Sequence, residues 1–202
     1  MPQLPPATKW LLIINTAAFF IDDLLRLSTG VALTNWFALW PISGPFMPWQ
    51  VITYAFLHGD ILHLLFNMFA LWTFGSELER LWGQKRFLQF FGASVLTAAG
   101  TQLLVTALTH SPFPTVGASG GIYGLLLAYG MLFPNRQLQL IFPPVVLKAK
   151  TYVLIFGALE LWMGLRVPDG VAHFAHLGGM LGGFLMIRYW RGQPPFRGRR
   201  RF

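Results

Sequence analysis

One stretch of the chain, residues 87–109, contains 23 consecutive residues without a charged side chain, and it constrains the fold more than any other feature. An α-helix rises about 1.5 Å per residue, so such a helix can cross a hydrocarbon core about 30 Å thick. The rest of the chain is similar, since 54% of its 202 residues are hydrophobic and only 11% are charged. A soluble domain of this size does not need so much apolar surface, whereas a membrane-embedded bundle does.

Six apolar segments, separated by short polar connections, are candidates for membrane helices. Asp22 and Asp23 interrupt the first segment, Asp60 is a suitable N-cap for the second, and Pro134 ends the fourth. The sequence therefore predicts an all-α membrane protein, a bundle of six transmembrane helices at about 10–25, 60–78, 87–109, 119–133, 151–165 and 171–187.

The long connection between the first two segments, residues 28–59, has no Asp, Glu, Lys or Arg and differs from a spanning helix in composition. It contains prolines, which break helices, and tryptophans, which favour the headgroup region of a bilayer. We therefore expect an interfacial loop in the outer leaflet. A kinked seventh span is the alternative. The residues concerned are Pro41, Pro45, Pro48, Trp36, Trp40 and Trp49.

The Lys and Arg residues predict the orientation, because positive residues accumulate in cytoplasmic segments. With the N-terminus inside, 13 of the 15 lie on the cytoplasmic side, and only Arg26 and Arg166 lie outside. We therefore expect a multi-pass protein of a prokaryotic inner membrane. It would have a cytoplasmic N-terminus (1–9), a six-helix domain (10–190) and a basic cytoplasmic tail (191–202).

The charge and the cysteine count exclude several other classes. The net charge of +8 comes largely from the tail after the last apolar segment, where basic residues contact anionic headgroups, and no nucleic-acid recognition motif accompanies it. The chain has no cysteine, so a disulfide framework and a thiolate zinc site are excluded. The first apolar segment lacks a cleavage site and is expected to remain as a helix.

Polar residues near the outer ends of three segments predict a functional site. His63 and Asn67 lie one and two turns into the second segment, and His176 lies about 8 Å into the sixth. The fourth segment, with 15 residues, is too short to cross the whole core, so its first residue, Ser119, starts below the outer surface. Polar groups at this depth are costly and mark function. We therefore expect the four side chains to meet.

A serine at the start of a helix is suited to nucleophilic catalysis. The free N–H groups of the first turn and the positive end of the helix dipole can stabilise an oxyanion, and an imidazole can take the hydroxyl proton. Gly117 and Gly120 flank Ser119 and allow close backbone approach. The glycines here and in 178–183 also have the spacing of helix-packing faces.

The motifs together resemble the rhomboid family of intramembrane serine proteases, over about residues 48–187. They are His58-x4-His63-x3-Asn67, Gly75-x3-Glu79-x3-Gly83, Gly117-Ala118-Ser119-Gly120 with Tyr123, and Ala175-His176-Leu177-Gly178-Gly179-x2-Gly182. The resemblance implies a six-helix bundle whose serine–histidine dyad opens to the outer side. It also implies hydrolysis of peptide bonds in or near transmembrane helices, without a cofactor.

The resemblance also implies roles for individual residues. Ser119 would be the nucleophile and His176 the general base. Asn67, His63 and the backbone N–H of Ser119 would form the oxyanion hole. Tyr123 would pack beside the histidine, and Glu79 would be a structural residue. One departure is Trp49-Gln50, where many family members have Trp-Arg; it leaves open how the loop is anchored.

We expect a dyad, because the sequence shows no third acidic member of the site. Asp169, in the outer loop before the sixth segment, is expected to cap that helix. The expected partners are transmembrane-helix substrates and the lipid bilayer, with no nucleic acid and no metal. The sequence leaves the natural substrate, the oligomeric state, the regulation and the role of Glu160 open.

Three other functions fit parts of the pattern. A rhomboid-like protein that binds membrane clients without catalysis is the first. A metal enzyme or metal transporter using His58, His63, His173 and His176 is the second; no carboxylate is expected at their depth, and we expect His58 and His173 near the outer interface. A transporter or channel is the third, suggested by Glu160 within the fifth segment. The alternative for Glu160 is a carboxyl group held protonated or paired in the bundle.

Overall fold

The computed structural model describes residues 3–140, 144–166 and 170–195, most of which are helical. Two structured turns interrupt or extend the helices, a 3-10 turn at Tyr54–Phe56 and a π-helical turn at Leu71–Gly75 between α4 and α5. The helices are α1 (Pro6–Thr29), α2 (Thr34–Phe37), α3 (Gln50–Thr53), α4 (Ile61–Ala70), α5 (Ser76–Trp82), α6 (Gln84–Thr109), α7 (Ser119–Leu132), α8 (Ala149–Arg166) and α9 (His173–Trp190).

Each predicted apolar segment corresponds to a helical stretch in the described residues, with α4, the π turn and α5 together forming the second. Asp60 caps α4 as predicted, since its side chain accepts the backbone N–H of His63. Asp22 does not interrupt α1, because it is buried and its carboxylate accepts bonds from the Arg26 side chain and the backbone N–H of Leu33. The N-cap of α9 is Ala172, and the prediction for Asp169 lies outside the described residues.

The prediction of an all-α fold is wrong in one small region. Strand β1 (Gln137–Gln139) pairs antiparallel with strand β2 (Val146–Lys148), and Gln137 lies opposite Lys148. The alternation of Gln and Leu in β1 and the β-branched residue in β2 are strand signals. They cover only three residues each, too few for the periodicity to stand out from the apolar helices around them.

Two helical stretches in the described part of the chain are long and apolar enough to cross a membrane, Ile61–Trp82 and Gln84–Thr109. Only 39% and 33% of their most apolar windows are buried inside the protein, so most of these residues face outward. A core helix of a soluble protein would be mostly buried, and large outward-facing apolar surfaces are typical of contact with lipid. A count of six spans remains a prediction, because α7 is shorter and the other helices carry more polar residues.

Helices α6, α7 and α9 pack most closely and form the centre of the molecule. Glycines permit this, as the sequence predicted. A methyl group added at Gly179 would lie 1.8 Å from the carbonyl oxygen of Gly120, and one added at Gly183 would lie 3.1 Å from the Cα of Gly124. The start of α7 is therefore held directly against the outer half of α9.

Several basic residues lie at one end of the bundle. Arg80 donates to the carbonyl oxygen of Gln3, Arg136 pairs with Glu77, and the guanidinium of Arg86 lies 5.9 Å from the ring centre of Trp190. These contacts show which elements meet at this end of the bundle: the beginning of the described chain, α5, the start of α6, the end of α7 and the end of α9. That this face is cytoplasmic remains a prediction.

Glu79 joins the first helix to the second apolar stretch at that end. Its carboxylate accepts the backbone N–H groups of Ala7 and Thr8 at 2.8 and 2.7 Å and the Thr8 hydroxyl at 2.8 Å. The N-cap residue of helix α1 provides no side-chain cap. Glu79 instead accepts hydrogen bonds from the free N–H groups at the start of this helix, and its negative charge interacts favourably with the positive end of the helix dipole.

Candidate active site

Ser119 and His176 are in direct contact. Ser119 is the first residue of α7, and its Oγ lies 2.8 Å from Nε2 of His176 on the first turn of α9. The close approach of α7 to α9 at Gly120 and Gly179 sets this distance, because larger residues would push the two helices apart. Only 8% of His176 is exposed, so its ring lies within the protein, whereas Ser119 is half-buried.

The second ring nitrogen of His176 contacts a carboxylate, contrary to the predicted dyad without an acidic group. Its Nδ1 lies 2.9 Å from Oε2 of Glu160, which is 7% exposed and belongs to α8. The expectation that no carboxylate lies at this depth is therefore also wrong. Glu160 is six residues before the end of α8, and His176 is three residues after the start of α9. Because these two helix ends follow each other along the chain, counting from both ends would have placed the two side chains at similar levels in the bundle.

Two more side chains bind the same carboxylate. The Tyr123 hydroxyl donates to Oε1 of Glu160, and Nδ1 of His173 lies 2.6 Å from Oε2. The ring of Tyr123 also stacks on His176, with centroids 4.3 Å apart and planes 6° from parallel. His173 is 4% exposed, and its expected depth near the outer interface remains a prediction. Glu160 is paired within the bundle, one of the two alternatives that the sequence left open.

His63 lies beside Ser119. A methyl group added at Gly117 would be 2.8 Å from Nε2 of His63 and 3.5 Å from Oγ of Ser119, so the two polar atoms share one small space. The backbone N–H of Gly59 donates to Nδ1 of His63 at 3.4 Å. The neutral ring then carries its proton on Nε2, which points the donor toward the serine.

Asn67 lies one turn further along α4 and is buried. Its Nδ2 donates to the carbonyl oxygen of His63 at 2.9 Å. An amide nitrogen carries two hydrogens, so the same group can donate a second bond.

His58 is buried as well, at 3% exposure, and its expected depth near the outer interface remains a prediction. Its ring meets the ring of His63 edge to face at 5.0 Å. Burial, with a smaller contribution from nearby His63, lowers the pKa of His58 to about 3. The ring of His58, which contacts His63, is therefore neutral at physiological pH.

The long outer segment covers the start of α7 and is anchored by Gln50. This side chain is fully buried. Its Oε1 accepts the backbone N–H of Trp40 at 3.1 Å, and its Nε2 donates to the carbonyl oxygens of Trp36 and Pro45 at 3.2 and 3.3 Å. The segment also binds the loop before α7, where the N–H of Gly117 donates to the carbonyl oxygen of Tyr54 at 2.9 Å. Glutamine thus holds this loop where many rhomboids have arginine.

The donor atoms of Glu160, His173 and His176 lie within 4.8 Å of one another, a spacing that could hold a metal ion. The predicted alternative used His58, His63, His173 and His176, and of these only His173 and His176 belong to this group. Here the ligand atoms bind each other through hydrogen bonds, and the carboxylate accepts from both rings when each carries its proton on Nδ1. The same three residues therefore fit a proton-transfer network as well as a metal site.

Comparison with known proteins gives one family. Residues 45–192 match the model of the Rhomboid domain. The rhomboid protease GluP of Bacillus subtilis is 34% identical over 138 residues, which cover 67% of this chain and 25% of that protein. The mitochondrial presenilin-associated rhomboid-like protein A of Danio rerio is 32% identical over 153 residues, 70% of this chain and 38% of that protein.

The putative rhomboid protease YdcA of Bacillus subtilis is 27% identical over 186 residues, which cover 89% of this chain and 81% of that protein. The matches to the first two relatives thus cover between a quarter and two fifths of their lengths.

Proposed function

Because the chain belongs to the rhomboid family of membrane-embedded proteins, we propose that it is an intramembrane serine endopeptidase. The observation that carries this proposal is the hydrogen bond of 2.8 Å between Oγ of Ser119 and Nε2 of His176. A hydroxyl at a helix start, bonded to an imidazole, is the arrangement that nucleophilic catalysis requires.

In the proposed reaction, Ser119 Oγ attacks the carbonyl carbon of a peptide bond while its proton passes to Nε2 of His176. The carbonyl π electrons move to oxygen and form the tetrahedral oxyanion. When the oxyanion collapses, the C–N bond breaks and His176 protonates the leaving amine. Water then attacks the acyl-enzyme with His176 again as base, which releases the carboxylic acid and regenerates the serine.

Three donors are available to the oxyanion. Nε2 of His63 points into the space beside Ser119, Nδ2 of Asn67 can donate a second bond, and the backbone N–H of Ser119 lies in the first turn of α7, where a helix leaves its N–H groups free. One such donor typically contributes about 3 kcal/mol to lowering the barrier.

The proposed substrates are transmembrane helices, cleaved within or near the membrane. The outward-facing apolar residues of the two long helical stretches support a position in a bilayer, and the site lies at the end opposite the basic residues. A helical peptide bond is protected by its own hydrogen bonds, so the substrate must unwind before it is cut. We further propose a prokaryotic inner membrane, with both termini in the cytoplasm.

Cleavage of a single-span reporter in proteoliposomes tests the function. We expect the wild type to cleave it and Ser119→Ala and His176→Ala to lose essentially all activity while remaining folded. Ser111→Ala, in the loop before α7, is the matched control and should cleave as the wild type does. Full activity in Ser119→Ala or His176→Ala would contradict the proposal.

Two rival functions give different results in the same assay. A non-catalytic client-binding protein would retain the reporter without cutting it, even in the wild type. A metal-dependent hydrolase is the second rival, because Glu160, His173 and His176 are close enough to hold a metal ion. Such an enzyme would lose activity when a chelator is added. We expect cleavage to be insensitive to chelation.

A further inference from the structure

We propose that Glu160 is a positioning residue for the reaction, so that the catalytic unit is a Ser119–His176–Glu160 triad and not a dyad. This inference rests on the proposed protease function. It assigns a role to the buried carboxylate on α8. Neither the family motifs nor the rest of the sequence predicted this role.

The hydrogen bonds run in one line from the nucleophile to the carboxylate. Ser119 Oγ lies 2.8 Å from Nε2 of His176, and Nδ1 on the opposite side of the same ring lies 2.9 Å from Oε2 of Glu160. The three residues come from α7, α9 and α8, so the line connects three separate helices.

The carboxylate selects the tautomer that the reaction needs. A carboxylate oxygen only accepts, so the bond to Glu160 places the proton of neutral His176 on Nδ1. Nε2 is then unprotonated and faces the serine hydroxyl, ready to take its proton. Without Glu160, the proton could reside on Nε2 instead, and the ring could not act as a base toward Ser119.

The carboxylate also stabilises the charge that forms during the reaction. His176 becomes an imidazolium when it accepts the serine proton, and an isolated cation at 8% exposure is costly. A negative oxygen 2.9 Å away offsets that cost without moving a proton itself. This stabilisation exists only after the proton transfer begins, so it acts on the rate.

The neighbours of Glu160 fix it in this role. The Tyr123 hydroxyl and His173 Nδ1 donate to it, and the Tyr123 ring stacks on His176. Tyr123 therefore orients both the acceptor and the ring that bonds to it. The other buried carboxylates in the described residues serve different ends: Glu79 accepts backbone N–H groups at the start of α1, and Asp22 pairs with Arg26.

The test compares Glu160→Gln with a matched control, Glu77→Gln. Glu77 also accepts a tyrosine hydroxyl, that of Tyr129 at 3.0 Å, and pairs with Arg136, but it lies at the other end of the bundle. We expect Glu160→Gln to lower kcat by about 100-fold, a typical size for an acid–base contribution. KM should change by less than about twofold, and the control should retain wild-type kcat. A kcat of Glu160→Gln within about twofold of wild type would overturn the inference.

Glu160→Asp separates the effect of charge from the effect of shape. Glutamine keeps the size but removes the charge, whereas aspartate keeps the charge but is one methylene shorter. If Glu160 orients and stabilises the imidazolium, the aspartate variant retains more kcat than the glutamine variant. The reverse order, in proteins with equal melting temperatures, would mean that Glu160 only fills space.

A fluorophosphonate probe reacts with an activated serine. The rate at which it labels Ser119 would not change if Glu160 had only a structural role. Glu160→Gln should slow labelling of Ser119, because it acts through the ring of His176, whereas the control Glu77→Gln should label at the wild-type rate. Labelling of Glu160→Gln at the wild-type rate would contradict the inference. If the wild type neither cleaves the reporter nor labels, the proposed function fails; if the wild type cleaves and Glu160→Gln cleaves equally well, only the triad fails.

Discussion

At the scale of single residues, the site depends on how closely the backbone at Gly117 approaches His63. Gly117 has φ of 128°, a conformation that side chains other than glycine rarely adopt, and no space for a Cβ is left beside the imidazole. This glycine lets the loop before α7 turn into the helix while the proton on Nε2 of His63 stays beside the serine.

We expect Gly117→Ala to reduce cleavage strongly. The strained backbone costs about 1–3 kcal/mol, and the methyl group 2.8 Å from Nε2 of His63 displaces a proposed oxyanion donor. A loss of one such donor lowers kcat by about 100-fold or more. Reporter cleavage under saturating substrate measures this. Gly100→Ala on α6, where nothing lies within 4 Å of the added methyl, is the control and should remain active. Wild-type kcat in Gly117→Ala would exclude His63 as a donor.

Most polar residues of the site could be predicted from the sequence, because each occupies a fixed position from the outer end of an apolar helix. Ser119, His63, Asn67 and His176 follow from that depth and from the family motifs. The pairing of Glu160 could not, because hydropathy along α8 does not show which side of the helix faces α9. That rotation is set by packing against other helices.

At the scale of secondary-structure elements, two polar side chains anchor segments by hydrogen bonds, and the hydrophobic effect alone would not fix the positions of these segments. Glu79 binds the start of α1, and Gln50 holds the outer segment over α7. In each case a buried side chain satisfies backbone groups that no helix or strand could pair. Loss of either side chain therefore leaves several buried backbone groups unpaired.

We expect Glu79→Ala to destabilise the protein by roughly 3 kcal/mol, because a charged acceptor of three hydrogen bonds is lost at the N-terminus of α1. Thermal unfolding in detergent measures this. Glu77→Ala removes the same charge from a part-exposed residue of α5 and should cost much less. Equal effects of the two substitutions would argue against a capping role for Glu79.

Gln50→Ala should loosen the outer segment more than the bundle. The side chain binds three backbone groups, of which the Trp36 carbonyl oxygen also accepts the Trp49 indole N–H. The backbone N–H of Trp40 and the carbonyl oxygen of Pro45 would be left unpaired, at a cost of about 1–3 kcal/mol for each group. Limited proteolysis should then cut within the outer segment, residues 28–59, faster than in the wild type. Gln139→Ala, at an exposed position of β1, is the control. Unchanged proteolysis of that segment would show that other contacts suffice to hold it.

The helices could be predicted from the sequence, and the two strands could not. Apolar runs of 14 residues or more give strong periodic or continuous signals, and the ends of these helices moved by only a few residues in the structure. The three-residue strands β1 and β2 depend on pairing with each other, which local sequence does not encode.

At the scale of the whole molecule, close helix crossings build the site. Glycines at Gly120 and Gly179 let α7 and α9 touch, and α6 packs against both. In a membrane, where lipid is as apolar as the helix surfaces, such close packing is a main source of helix association. The contact between Ser119 and His176 therefore depends on the same helix packing that holds the bundle together.

The proposed orientation can be tested in whole cells, because the chain has no cysteine of its own. We expect Phe113→Cys, at a position 74% exposed in the loop before α7, to react with a thiol reagent that cannot cross the membrane. Gln3→Cys, at the opposite end, should react only after the cells are permeabilised, since the positive residues at that end favour the cytoplasm. The reverse pattern would invert the orientation and place the site on the cytoplasmic side.

Activation of the Ser119 hydroxyl by His176 determines where a covalent adduct forms. The purified protein is treated with a fluorophosphonate, and the modified peptide is identified by mass spectrometry. We expect one adduct, on Ser119, that is lost in a folded His176→Ala variant. An adduct on a different serine, or labelling of Ser119 that is unchanged in His176→Ala, would contradict it.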